Sequence, residues 1–224
     1  MSSEVAQNYL DISARVKELN PKATLVAVSK TKPIEMLREA FEAGCRIFGE
    51  NYVDEIVEKG PLLPKARFHM IGHLQSNKVS KVCAIPNLAM IETIDTEKLA
   101  DKVNNSWKGS EPLSVMVQVN TSDEPQKNGI QAGEKLFTLV QHINEKCPNL
   151  KFVGLMTIGE IGESSRDFES LINTRNQVAE HFGVEQETIK LSMGMSADYE
   201  LALEMGSDYV RVGSSIFGAR QYKH

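Results

Sequence analysis

Cysteine is scarce in this chain. Cys45, Cys83 and Cys147 are the only three among 224 residues, far apart and without a CxxC pair or a Cys/His grouping. Neither a disulfide framework nor a metal cluster is indicated, and the three read as reduced thiols. Excess charge of one sign is also missing. Lysine and arginine number 25 against 30 aspartates and glutamates, a formal net charge of -5, with no basic stripe. The electrostatic footprint of a nucleic-acid binder is therefore absent, and no nucleic-acid partner is expected. No apolar run is long enough to span a bilayer, so no membrane partner is expected either. The opening MSSEVAQNYLDISARVKELN carries acids and no continuous apolar stretch, unlike a secretory or mitochondrial leader. A cytoplasmic location is expected. Pro/Ser-rich linkers, low-complexity tracts and breaks in composition are lacking too, and residues 1–224 read as a single domain.

What is present is an alternation. Short apolar runs at 24–30, 46–50, 68–72, 87–94, 113–120, 151–159, 189–194 and 209–218 take turns with segments of helical period, the pattern of parallel strands joined by helical crossovers. Pro33 suits the first position of a helix whose buried side is Ile34, Leu37 and Phe41, with Gly44 as a left-handed stop. Asp95 is expected to cap a helix with Leu99, Val103 and Trp107 on its inner side. Leu136, Leu139, Val140 and Ile143 mark another helix, and Phe168, Leu171, Ile172 and Val178 the longest. Ser164 and Asp167 resemble a capping box at the start of that longest one. Eight such repeats predict an α/β protein, a (β/α)8 TIM barrel with an extra N-terminal helix. An open doubly wound sheet is the alternative, but a GxGxxG turn after the first strand is missing.

In such a barrel the chemistry sits at the carboxyl ends of the strands. The stretch VAVSKTKP, residues 26–33, puts Lys30 there. Period-2 alternation places Val26, Val28 and Lys30 on one face, so the amine emerges in the barrel mouth. A lysine reaching solvent from a strand end is the alternative reading, and Lys32 is the natural decoy. A second concentration of signals is LSMGMSADYELALEMGSDYVRVGSSIFG, residues 191–218. Ser196 precedes a helix it could cap, and Arg211-Val212-Gly213-Ser214-Ser215 ends the eighth strand with the glycine, N–H groups and hydroxyls of an anion cradle. Loops after strands 7 and 8 are the frequent phosphate site of this fold. Closure puts strand 8 beside strand 1, so Arg211 and Lys30 should share the mouth. A nearby guanidinium disfavours the charged lysine, and the neutral amine is the form that attacks an aldehyde. Lysine, arginine and phosphate cradle together describe a site for a phosphorylated aldehyde, with pyridoxal 5'-phosphate (PLP) as the candidate.

Five ordered motifs carry a family resemblance: AVSKTKP at 27–33, FGENYVDE at 48–55, FHMIGHLQSNK at 68–78, GLMTIG at 154–159 and residues 191–218. The chain resembles the pyridoxal phosphate homeostasis proteins, a family similar to the barrel domain of alanine racemases. The resemblance implies that Lys30 holds the cofactor as a Schiff base, that Ser196, Gly213 and Ser214 contact its phosphate, and that Arg211 faces the pyridine nitrogen. It also implies Asn51 beside the ring and His73 and Met156 in the pocket wall. From the residues alone, Asn51 serves equally well as a helix cap, and His73 as a hydrogen-bonded loop histidine. The loop 120–130 is long enough to act as a movable cover, and no catalytic part is assigned to it.

An arginine does not readily yield a proton to the ring nitrogen, which leaves the cofactor a poor electron sink. Racemases add a second domain with a tyrosine base, and no such domain is expected here, the sequence stopping at His224 after the eighth repeat. The expected function is a PLP carrier, with no catalytic residues expected, that sequesters the cofactor or delivers it to PLP-dependent apoenzymes. A monomer is expected. A low-activity amino-acid racemase using His73 or Tyr52 as second base is the alternative, followed by a barrel that binds a phosphorylated metabolite without a covalent link.

Overall fold

In the computed structural model, which describes residues 3–122 and 124–219, eight parallel strands close into a barrel in chain order. They are β1 (Thr24–Val28), β2 (Ile47–Glu50), β3 (Arg67–Met70), β4 (Leu88–Ile94), β5 (Leu113–Gln118), β6 (Leu150–Met156), β7 (Lys190–Ser192) and β8 (Tyr209–Val212). Around them lie α1 (Glu4–Leu19), α2 (Ile34–Glu42), α3 (Val53–Leu62), α4 (Val79–Cys83), α5 (Glu97–Ser106), α6 (Glu134–Lys146), α7 (Ser164–Phe182), α8 (Tyr199–Glu204) and α9 (Ser214–Phe217). The (β/α)8 barrel and its additional N-terminal helix are as the alternation predicts. Expectations for Met1, Ser2, Asp123 and residues 220–224 lie outside the described residues.

Side-chain alternation along the strands divides the interior in two. The larger part lies between sheet and helices, where Phe48, Phe68, Ile91 and Leu155 meet Leu37, Ile56, Leu136 and Leu171. A smaller one, Met90, Met116 and Met156 with Val153 and Tyr209, forms a separate cluster. Closure runs through β1 and β8, with Val26 opposite Arg211 and Ala27 opposite Val212. Helix α1 lies against this seam. Ser3 caps it by accepting from the Ala6 N–H (3.0 Å), and Asn8 and Asn20 donate to the carbonyls of Ile216 and Ser207 (both 3.1 Å). Among the described residues, no helix is long and apolar enough to cross a membrane.

The strand ends differ from the sequence expectation. β1 stops at Val28 because residues 29–32 form a turn closed by Lys32 N–H to the Ser29 carbonyl (3.1 Å), and β8 stops at Val212 because α9 follows at once. Two caps also differ. Thr96, not Asp95, caps α5 by accepting from the Leu99 N–H (3.0 Å), while Asp95 accepts from the Gly129 N–H (3.3 Å). Trp107 is the C-terminal cap of that helix and packs, partly buried, against the core, as its expected place on the inner side implies. Ser164 and Asp167 form no capping box: the serine hydroxyl donates to Asp198 (2.6 Å), and Asp167 accepts from the Glu160 N–H (2.7 Å). Pro33 stands just before α2, and Gly44 takes the positive φ (115°) expected of a stop.

Candidate functional site

The carboxyl ends of β1, β2, β6, β7 and β8 surround a cavity of about 380 Å3 at the barrel mouth. Lys30 reaches it from the turn after β1 and Asn51 from the residue after β2. Met156 enters from the end of β6, Ser196 from the loop after β7, and Arg211, Gly213 and Ser214 from β8 and its end. Seven of the eight residues singled out from sequence thus line one cavity. His73 does not. It is exposed and opens onto a neighbouring depression with Tyr52, Gln75 and Lys78. Lys32 also lines the cavity, and its Nζ donates to the Ala219 carbonyl (2.7 Å).

Arg211 is buried and held from two sides. One guanidinium nitrogen donates to Ser192 Oγ (2.6 Å) and another to the Thr157 carbonyl (2.7 Å). The Ser192 hydroxyl in turn donates to Glu92 Oε1 (2.5 Å), and His69 Nδ1 lies 2.8 Å from Glu92 Oε2. Burial by itself would raise the Glu92 carboxyl. The His69 hydrogen bond, the charges of His69 and Arg211 and the Ser192 hydroxyl outweigh it and hold the group below its ordinary value. Glu92 is therefore a carboxylate, and His69 Nδ1 must be the donor. Burial in turn lowers the Arg211 guanidinium, with Glu92 and Asp198 opposing. The charge Arg211 brings to the mouth is thus partly offset by Glu92, which the sequence reading omitted. Its signal was available: FHM, IET and VRV each carry one ionisable residue inside an apolar strand, and such residues must find one another.

The side made by β7 and β8 is tied by Ser196. Its hydroxyl accepts from the Gly213 N–H (3.1 Å) and the Ser215 N–H (3.4 Å), fastening the two loops together. It does not cap α8, which begins after Asp198. Gly213 has a packing reason for its identity. A Cβ there would come within 3.1 Å of the Val28 carbonyl oxygen, so the glycine lets the end of β8 lie against β1. Asn51 is likewise no cap, since Tyr52 holds that position at α3. Its Oδ1 is buried and has no hydrogen-bond donor among the described residues.

Comparison with known proteins follows this geometry. The profile of the alanine racemase N-terminal domain matches residues 2–221. The human protein named pyridoxal phosphate homeostasis protein is 51% identical over 212 residues, spanning 88% of this chain and 77% of that one. The Caenorhabditis elegans protein of the same name is 44% identical over the full length of both. The chain belongs to the pyridoxal phosphate homeostasis protein family. Within the solved structures, this family member is similar to PipY of Synechococcus elongatus with PLP bound, at 28% identity and a TM-score of 0.80 over 96% of this chain and 100% of that one.

Proposed function

We propose that this protein binds PLP at the barrel mouth through a Schiff base on Lys30 and serves intracellular PLP homeostasis by sequestering the cofactor or delivering it to PLP-dependent apoenzymes. The observation that carries this reading is the meeting of a strand-end lysine with the Ser196–Gly213–Ser214 loops across one cavity. Its volume, about 380 Å3, lies at the small end of the range for small-molecule sites. The buried, undonated Oδ1 of Asn51 supplies a polar contact that the protein itself leaves unused. The N–H of Ser214, first in its helical turn, lacks an intrahelical acceptor and is available to a phosphate oxygen. Arg211 presents to the ring nitrogen a donor already fixed by Ser192 and Thr157. Bound PLP contributes an electrophilic aldehyde and an electron-withdrawing ring. Lys30 would hold that aldehyde carbon through its Nζ, a condensation that would release one water and oxidise or reduce nothing.

The carrier reading is supported by the cavity wall. Its ionisable side chains among the described residues are Lys30, Lys32 and Arg211, and beside the lysines the lining offers no carboxylate, tyrosine or histidine as the second acid/base group that a racemase needs on the opposite face of the ring. Tyr52 and His73 open onto the separate depression. Purified protein loaded with PLP tests the reading. Lys30→Ala should abolish the visible absorbance band and borohydride labelling, while Lys32→Ala should keep both. The reverse pattern overturns the assignment. Solvent deuterium appearing at the Cα of an added amino acid would replace the carrier with the racemase.

A further inference from the structure

Lys30 sits on a turn that is gripped from outside the barrel. Helix α3 sends Lys59 and Glu55 against the ends of β1 and β2. Lys59 is buried, and its Nζ donates to the Ser29 carbonyl (2.8 Å), Glu50 Oε1 (3.0 Å) and Glu55 Oε1 (2.9 Å). Glu50 Oε1 also accepts the Ser29 hydroxyl proton (2.5 Å), and Glu55 Oε1 accepts from the Thr31 N–H (2.7 Å). The backbone is thus bound at residue 29 and at residue 31, immediately before and after Lys30. Thr31 adopts φ 65°, alone among the described non-glycine residues. A β-branched side chain in that region is strained, and such a conformation persists only where its surroundings impose it.

A buried ion pair is weak grounds for inferring stability, since apolar replacement often serves as well. What an apolar cluster could not do is accept the Thr31 N–H and donate to the Ser29 carbonyl. We propose that the Glu50–Lys59–Glu55 cluster is a positioning clamp for Lys30, fixing the strained turn so that the amine enters the cavity in a single orientation. Lys59, Glu50 and Glu55 are positioning residues, because they act on the lysine through its neighbours and do not line the cavity. The inference rests on the reading of Lys30 as the cofactor-bearing residue.

Glu55 is the group to vary, because it is partly exposed and Ala is compatible with its helix. Glu55→Ala removes the acceptor of the Thr31 N–H, and Glu55→Gln restores an acceptor without charge. With Glu55→Ala, the dissociation constant for PLP should rise about tenfold and the pH at which the visible band titrates should move, with circular dichroism unchanged. Glu55→Gln should return both close to wild type. Lys59→Met should repeat the loss. Equal loss in the Ala and Gln variants would assign the effect to charge and overturn the clamp, as would wild-type affinity and band titration in Glu55→Ala. Lys30→Ala separates the two layers: a band surviving that change defeats the reading of Lys30, whereas a band lost there and untouched in Glu55→Ala defeats the clamp alone.

Discussion

Asn51 and Arg211 have opposite hydrogen-bond balances, and their substitutions should therefore behave differently. Asn51 Oδ1 is buried without a donor, so Asn51→Ala removes nothing the ligand-free fold depends on. Unfolding free energy in urea should change by less than about 1 kcal/mol while PLP affinity falls about tenfold. Arg211 donates two buried hydrogen bonds and sits in the field of Glu92. Arg211→Met should cost roughly 3 kcal/mol in the same measurement, because Glu92 then remains buried with its countercharge reduced. These residues also show what a sequence discloses. The place of Lys30 at the barrel mouth was legible from its position at the end of an apolar run, though a turn and not strand parity delivers it, and that of the Ser196 and Gly213 region from its position after the last two strands. His73 was not, because it lies three residues beyond the end of β3, where strand alternation no longer says which way a side chain points. The Glu92 network was missed because, although its ionisable residues stand out in the strands, which of them meet across the interior, β4 with β7 and β8, is set by barrel closure and not by any one strand.

Strands and their neighbours set the next scale. Glu50, at the end of β2, has its carboxyl raised to about 7, chiefly by burial and further by Glu55, against the Lys59 charge and the Ser29 and Lys59 hydrogen bonds. Its folded value lies above the ordinary 4.5, so the unfolded chain releases that proton first. Stability from this group is present below about pH 4.5 and is lost as pH rises toward about 7, a swing of roughly 3 kcal/mol. Glu50→Gln should lack that slope when urea midpoints are compared across the window. The β7–β8 seam offers a second test. Its ladder pairs Ser192 with Tyr209, and Ser207 reinforces it by accepting from the Met193 N–H (3.3 Å) and lying 2.7 Å from the Tyr209 carbonyl. Ser207→Ala should lose about 1–3 kcal/mol and speed amide exchange at residues 191–193. Element existence and order were plain from the apolar alternation. Their ends were not, because a turn such as 29–32 or a helix such as α9 interrupts a strand through backbone bonds that composition does not encode.

Across the whole molecule, we propose that the chain behaves as one cooperative unit and as a monomer, to be checked by a single unfolding transition and by a sedimentation mass of one chain. The three thiols report on that unit. Cys45 is pushed up to about 12 and Cys83 to about 11 by burial, and Cys147 to about 11 by burial and by Asp101. None should react with an alkylating reagent near pH 8 in the native state, and labelling in mild denaturant should follow global unfolding for all three together. Rapid reaction of one alone would expose a local opening. Finally, the β1–β8 seam joins an early part of the chain to a late one. A nascent polypeptide on the ribosome therefore makes Lys30 early, and on the function proposed above the loops expected to hold the phosphate follow only when synthesis passes residue 214, so no specific capture of a vitamer is expected before that point.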